Sequence, residues 1–226
     1  MYRYETHLHT NLVSACSCFT PEQIVEKYTA LGYAGVAVTD HFLNGNTTVP
    51  ADLSWKERIS RFCEGYRAVK KRAGKLAVLF GFEYSYKGTD FLVYGLEEEW
   101  LLANERLMDM TAKEFCLFAR AAGGLVVQAH PTREASYIDH VRLFPSDVDG
   151  FETLNACRTP RENRLADIYA GEYGLIKTAG SDIHSAAQNV LAGMEFDKKP
   201  ANGKEFAQSI LKGEGRIFTL PQGESL

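Results

Sequence analysis

The sequence has no stretch of about 18 or more consecutive apolar residues, the length that a membrane-spanning helix requires. Its first residues lack a basic segment followed by an apolar run, so no secretory signal is predicted. Low-complexity segments and linkers rich in Gly, Pro or Ser are missing as well. We therefore expect a cytoplasmic location, no membrane partner and a single domain over residues 1–226.

Cysteine is scarce, and the five cysteines are scattered: Cys16, Cys18, Cys63, Cys116 and Cys157. An odd number at irregular spacing does not predict a disulfide framework. Strong charge of one sign is also missing, since the net charge is only -4. This gives no general electrostatic reason to bind nucleic acid, although it leaves room for a local positive site. The 45% of apolar residues are enough to bury a core.

A local unit of helix, glycine, apolar strand and polar residue occurs four times along the chain. Capping boxes at Thr20, Thr111 and Thr159 indicate where three of the helices begin, and another helix is predicted over about residues 55–72. The strands that follow are GVAVTDH (35–41), LAVLFGFEY (76–84), LVVQAHP (125–131) and LIKTAGSDIH (175–184). Helices that alternate with short apolar strands predict parallel pairing and burial of both strand faces.

Further strands are predicted at YRYETHLH (2–9) and over 90–96, 148–154 and 215–220. Seven or so parallel strands can close into a barrel, and an open doubly wound sheet fits the same local pattern. Both architectures bind ligands at the carboxyl ends of the strands. The sequence therefore predicts an α/β fold with its functional site at those ends.

Polar residues that can bind metals follow the predicted strands. The set consists of His7, His9, His41, Glu83, His130, Asp182 and His184, which includes five of the six histidines. Because residues two apart in a strand point to the same side, His7 and His9 can reach one ion. Charged groups gathered at one barrel mouth need a compensating cation, and mixed imidazole and carboxylate ligands suit Zn, Mn or Fe. Seven ligands exceed one tetrahedral site, so more than one metal is expected.

Five motifs resemble those of the PHP domain, the polymerase and histidinol phosphatase superfamily. They are HLHT at 7–10, TDH at 39–41, GFEY at 81–84, AHP at 129–131 and SDIH at 181–184, in the order found in that family. The resemblance implies a distorted (β/α)7 barrel, two or three divalent metal ions in its mouth and phosphoester hydrolysis.

The resemblance also implies roles for individual residues. His7, His9, Glu83 and Asp182 match ligands of the first metal, and Glu83 matches a bridge to a second metal that His130 shares. His41 and His184 match ligands of a third metal. At two ligand positions of the family this chain differs: NLVSACSC offers Cys16 for the third metal, and DFLVYGL offers Asp90 for the second. A thiolate would favour Zn or Fe, whereas an ordinary buried Cys16 would leave the third site weak or empty.

The expected chemistry is in-line attack of a metal-bound hydroxide on phosphorus, with no covalent nucleophile from the protein. Arg133 is positioned after AHP to bind a phosphate in bidentate fashion, and Arg158 and Arg164 are weaker candidates. Asp40 and Asn155 are expected to orient metal ligands from behind; Asp40 is alternatively expected to protonate the leaving group, and Asn155 to line the mouth.

The favoured function is a small-molecule phosphatase or phosphodiesterase that acts on nucleotide-like or other small phosphoesters. Histidinol phosphate and protein phosphotyrosine are alternative substrates that the family implies. A nuclease would need a basic track that the sequence does not display. A non-catalytic, metal-binding regulatory protein is the alternative from another class, and Cys16 and Asp90 favour it. Oligomeric state, metal identity and ester preference stay open.

Overall fold

The computed structural model describes residues 1–220, which form one mixed sheet of nine strands. The strands are β1 (Tyr2–Glu5), β2 (Gly35–Val38), β3 (Ala77–Tyr86), β4 (Thr89–Tyr94), β5 (Leu125–Ala129), β6 (Gly150–Asn155), β7 (Ile176–Gly180), β8 (Leu191–Phe196) and β9 (Gly215–Leu220). Their order across the sheet is β7-β6-β5-β4-β3-β2-β1-β8-β9. Strands β2 and β5 are buried at every residue, as expected of strands covered on both faces.

Seven α-helices pack around this sheet in the described part of the chain. They are α1 (Pro21–Ala30), α2 (Trp55–Phe62), α3 (Glu64–Arg72), α4 (Glu98–Leu102), α5 (Ala112–Ala121), α6 (Pro160–Glu172) and α7 (Gly203–Leu211). The predicted capping boxes at Thr20, Thr111 and Thr159 are present. The single helix predicted over 55–72 is instead two helices that meet at Cys63. Within residues 1–220, no helix has the length and hydropathy needed to cross a membrane.

The sheet curves until its two sides meet near the carboxyl ends of β1 and β7. Leu8 and Ile183, just beyond those strands, form a parallel bridge. The His9 amide donates to the Ile183 carbonyl at 3.1 Å, and the Ile183 amide donates to the His7 carbonyl at 3.2 Å. These bonds nearly close a barrel and bring the HxH segment beside the SDIH segment. The α/β class and the barrel-like sheet are thereby confirmed, and the distorted (β/α)7 repeat stays a prediction.

Parallel pairing was wrong for two of the predicted strands. Strand β4, predicted over 90–96, is antiparallel to both β3 and β5, because only Lys87 and Gly88 separate it from β3. A connection that short permits a hairpin but no crossover, and both residues adopt positive φ in the turn. The strand predicted over 215–220 is antiparallel to its neighbour β8, and β8 itself was not predicted by the repeat of helices and strands.

Candidate metal centre

A cavity of about 420 Å³ opens at the carboxyl ends of the barrel strands. Seven of the nine predicted metal ligands line it, together with Arg133 and Arg158. The other two, His7 and His9, are fully buried. The structure therefore brings together residues that lie up to 177 positions apart in the sequence, from His7 to His184.

Several polar atoms at the base of this cavity have no hydrogen-bond partner within residues 1–220. They are Nε2 of His7, Nε2 of His9 and Oε1 of Glu83, whereas Nδ1 of His41 lies 2.6 Å from Glu83 Oε2. Buried polar groups are nearly always hydrogen-bonded, so this cluster of unpaired atoms requires an explanation. Burial tends to raise the pKa of Glu83, but the positive charges of His41 and His7 outweigh it and hold that pKa well below its usual range. The carboxylate is therefore an anion.

The distances between these atoms are those of ligands around a common cation. Nε2 of His7 lies 3.4 Å from Glu83 Oε1 and 3.6 Å from Asp182 Oδ1. Nε2 of His9 lies 3.5 Å from Glu83 Oε2 and 3.5 Å from Asp182 Oδ1. Two ligands bound at about 2.1 Å to a tetrahedral ion are about 3.4 Å apart, longer than most hydrogen bonds. The unpaired atoms and their spacing fit a metal.

The ligand atoms form three overlapping groups, each compact enough to hold an ion. The groups are His7, His9 and Asp182; His7, Glu83 and His130; and His9, His41 and His184. Two of these residues, His130 and Asp182, have positive φ values of 29° and 50°. Such backbone strain in residues other than glycine is concentrated at functional sites. The strain thus coincides with two predicted ligands.

Each of three imidazoles is fixed by a hydrogen bond at its Nδ1 atom. Nδ1 of His7 lies 2.9 Å from Glu152 Oε1, and Nδ1 of His184 lies 2.7 Å from the Asp182 carbonyl oxygen. Nδ1 of His9 lies 3.1 Å from the Ser14 hydroxyl oxygen. With Nδ1 donating, Nε2 keeps its lone pair for a metal. Burial and the neighbouring His41 lower the pKa of His9 to about 3, so this ring is neutral, as a ligand must be.

Asp40 acts on this network through Ser14. Its carboxylate accepts hydrogen bonds from the Thr10 amide at 2.6 Å, the Thr10 hydroxyl at 2.8 Å and the Ser14 hydroxyl at 2.7 Å. The Ser14 oxygen, having donated to Asp40, is free to accept from Nδ1 of His9 and from the His41 amide. Burial raises the pKa of Asp40 to about 6 despite these donors. The geometry fits the orienting role predicted for Asp40, and both its oxygens are occupied by donors rather than facing a leaving group.

Glu152 is a functional residue that the sequence reasoning missed. Its Oε1 accepts from His7, and its Oε2 accepts from the His130 amide at 3.0 Å and from Asn155 Nδ2 at 2.8 Å. One carboxylate thus fixes two ligand positions. The available signal was an acidic residue inside the apolar strand FETLN, the same pattern that identified Glu83.

Asn155 does not line the mouth, contrary to one of the two roles predicted for it. It is fully buried at the end of β6, where Nδ2 also lies 3.3 Å from Asp182 Oδ2. This contact supports Asp182 from behind. Asn155 therefore fits the other role predicted for it, that of orienting a metal ligand.

Glu5 is a second residue that sequence reasoning missed. It accepts hydrogen bonds from the amides of Thr6, His7 and Ser181, each at 2.9 Å. The hydroxyls of Tyr28 and Ser181 add bonds at 2.6 Å and 2.5 Å. This buried carboxylate joins β1 to the loop after β7 and so fixes His7 relative to Asp182.

Asp90 lies at the edge of the second ligand group. Its Oδ2 is 3.9 Å from His130 Nε2, and its Oδ1 accepts from the Ser85 hydroxyl at 2.6 Å. Burial and the nearby Glu83 raise the pKa of Asp90. The antiparallel register places Asp90 beside His130, although the predicted strand direction was wrong.

Cys16 lies on the wall of the same cavity as His41 and His184 of the third ligand group. Burial raises the pKa of this thiol, but the two imidazoles outweigh that effect and lower it to about 6. Cys18 is also exposed, but its thiol contacts the carbonyl oxygen of His184 instead of the ring.

Two arginines reach the cavity wall. The Nε atoms of Arg133 and Arg158 are buried and have no hydrogen-bond partner in the described residues. Nη1 of Arg133 lies 3.9 Å from Asp90 Oδ2, and its guanidinium stands 5.4 Å from the centre of the Tyr137 ring. Arg164, the weaker candidate, is exposed on α6. Both cavity arginines can therefore approach an anion held in front of the metal ligands.

Comparison with known proteins places this arrangement in a structural class. The model of a PHP-associated family, PHP_C, matches residues 160–214. A two-domain protein from Bacteroides vulgatus, containing a predicted PHP-like metal-dependent phosphoesterase, superposes with a TM-score of 0.70 at 14% identity and covers 96% of this chain. This chain spans only 64% of that protein. A search of curated proteins found no match.

Two other solved structures are similar. One, from Bifidobacterium adolescentis, is assigned as a metal-dependent phosphoesterase, with a TM-score of 0.51, 20% identity and coverage of 80% of this chain and 87% of that one. The other is an amidohydrolase from Chromobacterium violaceum with bound sulfate and no metal, with a TM-score of 0.55, 15% identity and coverage of 94% and 97%.

The fold and the cluster of histidines and carboxylates define an α/β barrel-like protein with a candidate metal centre at its strand ends. The family model over residues 160–214 and the fold shared with the structural neighbours agree with the resemblance to PHP-domain proteins that the five sequence motifs indicated.

Proposed function

We propose that this protein is a metal-dependent phosphoesterase that hydrolyses small phosphoesters. The observation that carries the proposal is the convergence of unpaired, buried ligand atoms on one cavity that two arginines also reach. Phosphoesterase neighbours of the same fold support the reaction class. The proposal extends to a small-molecule phosphatase or phosphodiesterase that uses an activated water and forms no covalent phospho-enzyme.

The charges of the site support binding of an anionic substrate. Three carboxylates, Glu83, Asp90 and Asp182, would contribute three negative charges beside imidazoles that bind a metal in their neutral form. Two or three divalent ions, with Zn, Mn and Fe as the candidates for this donor set, would exceed that charge. The excess positive charge of the ions and the charges of the two arginines would attract phosphate through the local electric field, although the chain has a net charge of -4.

The chain's own residues would perform distinct tasks in the reaction. His7, His9, Glu83 and Asp182 would hold the first cation, and the other predicted ligands would hold further cations beside it. Bound cations would acidify a water molecule and polarise the phosphoryl oxygens. Arg133 and Arg158 would bind the phosphate oxygens and stabilise the charge that develops on them.

The size of the cavity supports a small substrate. About 420 Å³ is within the range of pockets that bind small molecules, and the wall includes the aromatic ring of Tyr137. The structural neighbour that holds sulfate is an example of oxyanion binding in this fold. We therefore favour a nucleotide-like or other small phosphoester as the partner of this site.

Hydrolysis assays on purified protein test the proposal. We expect turnover of p-nitrophenyl phosphate or of its bis-ester that chelation abolishes and that Zn, Mn or Fe restores. Arg133→Ala and Arg158→Ala should each lower kcat/KM by about tenfold or more, the effect of losing a charge-assisted bond worth about 1.5 kcal/mol or more. The matched control is Arg164→Ala, on the exposed face of α6, which should leave kcat/KM unchanged.

Two results would count against the enzyme. Turnover that survives complete removal of metal would contradict the proposed chemistry. Full metal occupancy without hydrolysis of either ester or of a panel of nucleotide and sugar phosphates would favour the regulatory alternative. Preference between the two chromogenic esters would separate a phosphatase from a phosphodiesterase.

A further inference from the structure

The loop that carries Tyr137 connects β5 to β6 and is attached to the rest of the fold on both sides of this residue. Before it, the Glu134 amide donates to Glu162 Oε1 on α6 at 2.9 Å. After it, Nη1 of Arg142 donates to the Lys87 carbonyl in the β3–β4 turn at 2.9 Å. The loop is therefore held between α6 and this hairpin, and the position of Tyr137 beside the cavity is fixed.

The tip of this loop is a tight turn that packs toward the same hairpin. The Ile138 amide donates to the Ala135 carbonyl at 2.9 Å, which closes a turn with Tyr137 inside it. A Cβ atom at Gly88 would lie 3.3 Å from Cγ1 of Ile138, so the Ile138 side chain lies close to the hairpin. The neighbouring Tyr137 side chain is instead on the cavity wall, where the residue is 66% exposed.

The surroundings of Tyr137 distinguish it from other exposed tyrosines. Among residues 1–220, it is the only phenylalanine, tyrosine or tryptophan on the wall of the metal cavity, whereas Tyr173, also exposed, lies at the end of α6. The Arg133 guanidinium stands 5.4 Å from the centre of the Tyr137 ring, within the range of a cation–π contact. Nη1 of the same arginine lies 3.9 Å from Asp90 Oδ2, at the metal centre. A phosphate bound by Arg133 would therefore bring the group esterified to it beside the ring.

We propose that Tyr137 makes the site selective for phosphoesters whose leaving group contains a planar ring, because it stacks on that ring. The inference rests on the proposed function, in which Arg133 binds the phosphate. Tyrosine offers a rigid apolar face, and aromatic rings pack on such a face in offset-stacked or edge-to-face contacts. The rest of the wall consists mainly of polar and metal-binding side chains, which offer no comparable surface. Tyr137 is thus a specificity-determining residue with no part in the chemical step.

Binding of two phosphonates tests the inference without relying on turnover. Phenylphosphonate and methylphosphonate have the same head group and differ in the ring, and their carbon–phosphorus bond resists hydrolysis by a phosphoesterase. Isothermal titration of the full chain loaded with Zn²⁺ should give about tenfold tighter binding of phenylphosphonate, the gain expected from one stacked ring. Tyr137→Ala should remove this preference and leave the affinity for methylphosphonate unchanged. Tyr137→Phe should keep the preference, as should the matched control Tyr173→Ala.

Turnover provides a second readout of the same selectivity. Tyr137→Ala should lower kcat/KM for phenyl phosphate about tenfold and leave kcat/KM for glycerol phosphate unchanged, since only the first leaving group has a ring. The loss should be mainly in KM, because the ring is contacted before and during the reaction alike.

Each contrary result has a defined meaning. Equal affinity of the wild type for both phosphonates overturns the inference and leaves the proposed phosphoesterase intact. A preference that survives in Tyr137→Ala places the ring elsewhere, and one that disappears in Tyr137→Phe assigns it to the hydroxyl group; both overturn stacking. Equal weakening of both phosphonates by Tyr137→Ala would mean that Tyr137 acts only by holding Arg133. Loaded protein that binds neither phosphonate contradicts both proposals, whereas the preference in a protein without turnover supports the inference alone.

Discussion

Replacing Glu152 with glutamine should weaken metal binding even though no ligand is removed. The Glu152 carboxylate accepts from Nδ1 of His7 at 2.9 Å with one oxygen, and from the His130 amide at 3.0 Å and Asn155 Nδ2 at 2.8 Å with the other. A glutamine has one carbonyl oxygen and one amide group. It must therefore present donor hydrogens either to the His7 side or to the two donors on the opposite side.

Either orientation of the glutamine disturbs a ligand. If its amide group faces His7, the imidazole must shift its proton to Nε2, the atom that faces Glu83 and Asp182. If the amide faces the other side, it opposes two N–H donors. Loss of such a supporting partner typically lowers metal affinity by about 10–100-fold, which corresponds to about 1.4–2.7 kcal/mol.

Competition with a chromophoric zinc chelator measures this affinity in wild-type and Glu152→Gln protein. The control is Glu195→Gln, because Glu195 is also a buried glutamate on a barrel strand but lies beside Arg3. Circular dichroism and the urea midpoint would establish that both variants fold. Unchanged zinc affinity in folded Glu152→Gln protein would refute the reasoning that His7 depends on this carboxylate for its tautomer.

Two further predictions concern the same centre. Gly180→Ala should reduce metal occupancy and destabilise the fold by about 1–3 kcal/mol. The reason is that the new Cβ would lie 2.5 Å from His7 Cβ and 2.7 Å from Glu152 Oε1. Wild-type metal occupancy in elemental analysis and an unchanged urea midpoint would contradict this prediction. Lowering the pH below about 6 should release the metals, because imidazole ligands must be neutral to bind and protonation of His has its ordinary midpoint near 6.5. Dialysis over a pH series with metal analysis measures this, and occupancy that rises as the pH falls would contradict it.

The candidate ligands could be predicted from the sequence because their signal is local. Each apolar strand of the repeat ends in a histidine or carboxylate, and parallel strands place those ends at one edge of the sheet. Strand β7 and the residues Asp182 and His184 that follow it illustrate the rule. The same reasoning failed for β4, whose length and burial resemble a parallel strand. Its direction depends on the two-residue turn at Lys87 and Gly88, which the repeat pattern ignored.

The residues that support the ligands were harder to predict because their partners are distant in sequence. Glu152 and His7 are 145 positions apart, and Glu5 and Ser181 are 176 apart. Only the closing of the sheet between β1 and β7 brings these pairs together. A carboxylate in an apolar strand indicates a buried partner, but the strand itself does not identify which partner.

We expect the unpaired ligand atoms at the barrel mouth to bind a cluster of cations. Crystals of protein purified with zinc, measured at the zinc absorption edge, would reveal such ions in anomalous difference maps. We expect at least one strong peak between Nε2 of His7, Nε2 of His9 and the carboxylates of Glu83 and Asp182, with further peaks toward His130 and His184. Zinc peaks found only outside this cavity, or an empty cavity in zinc-saturated crystals, would contradict the assignment of a metal centre.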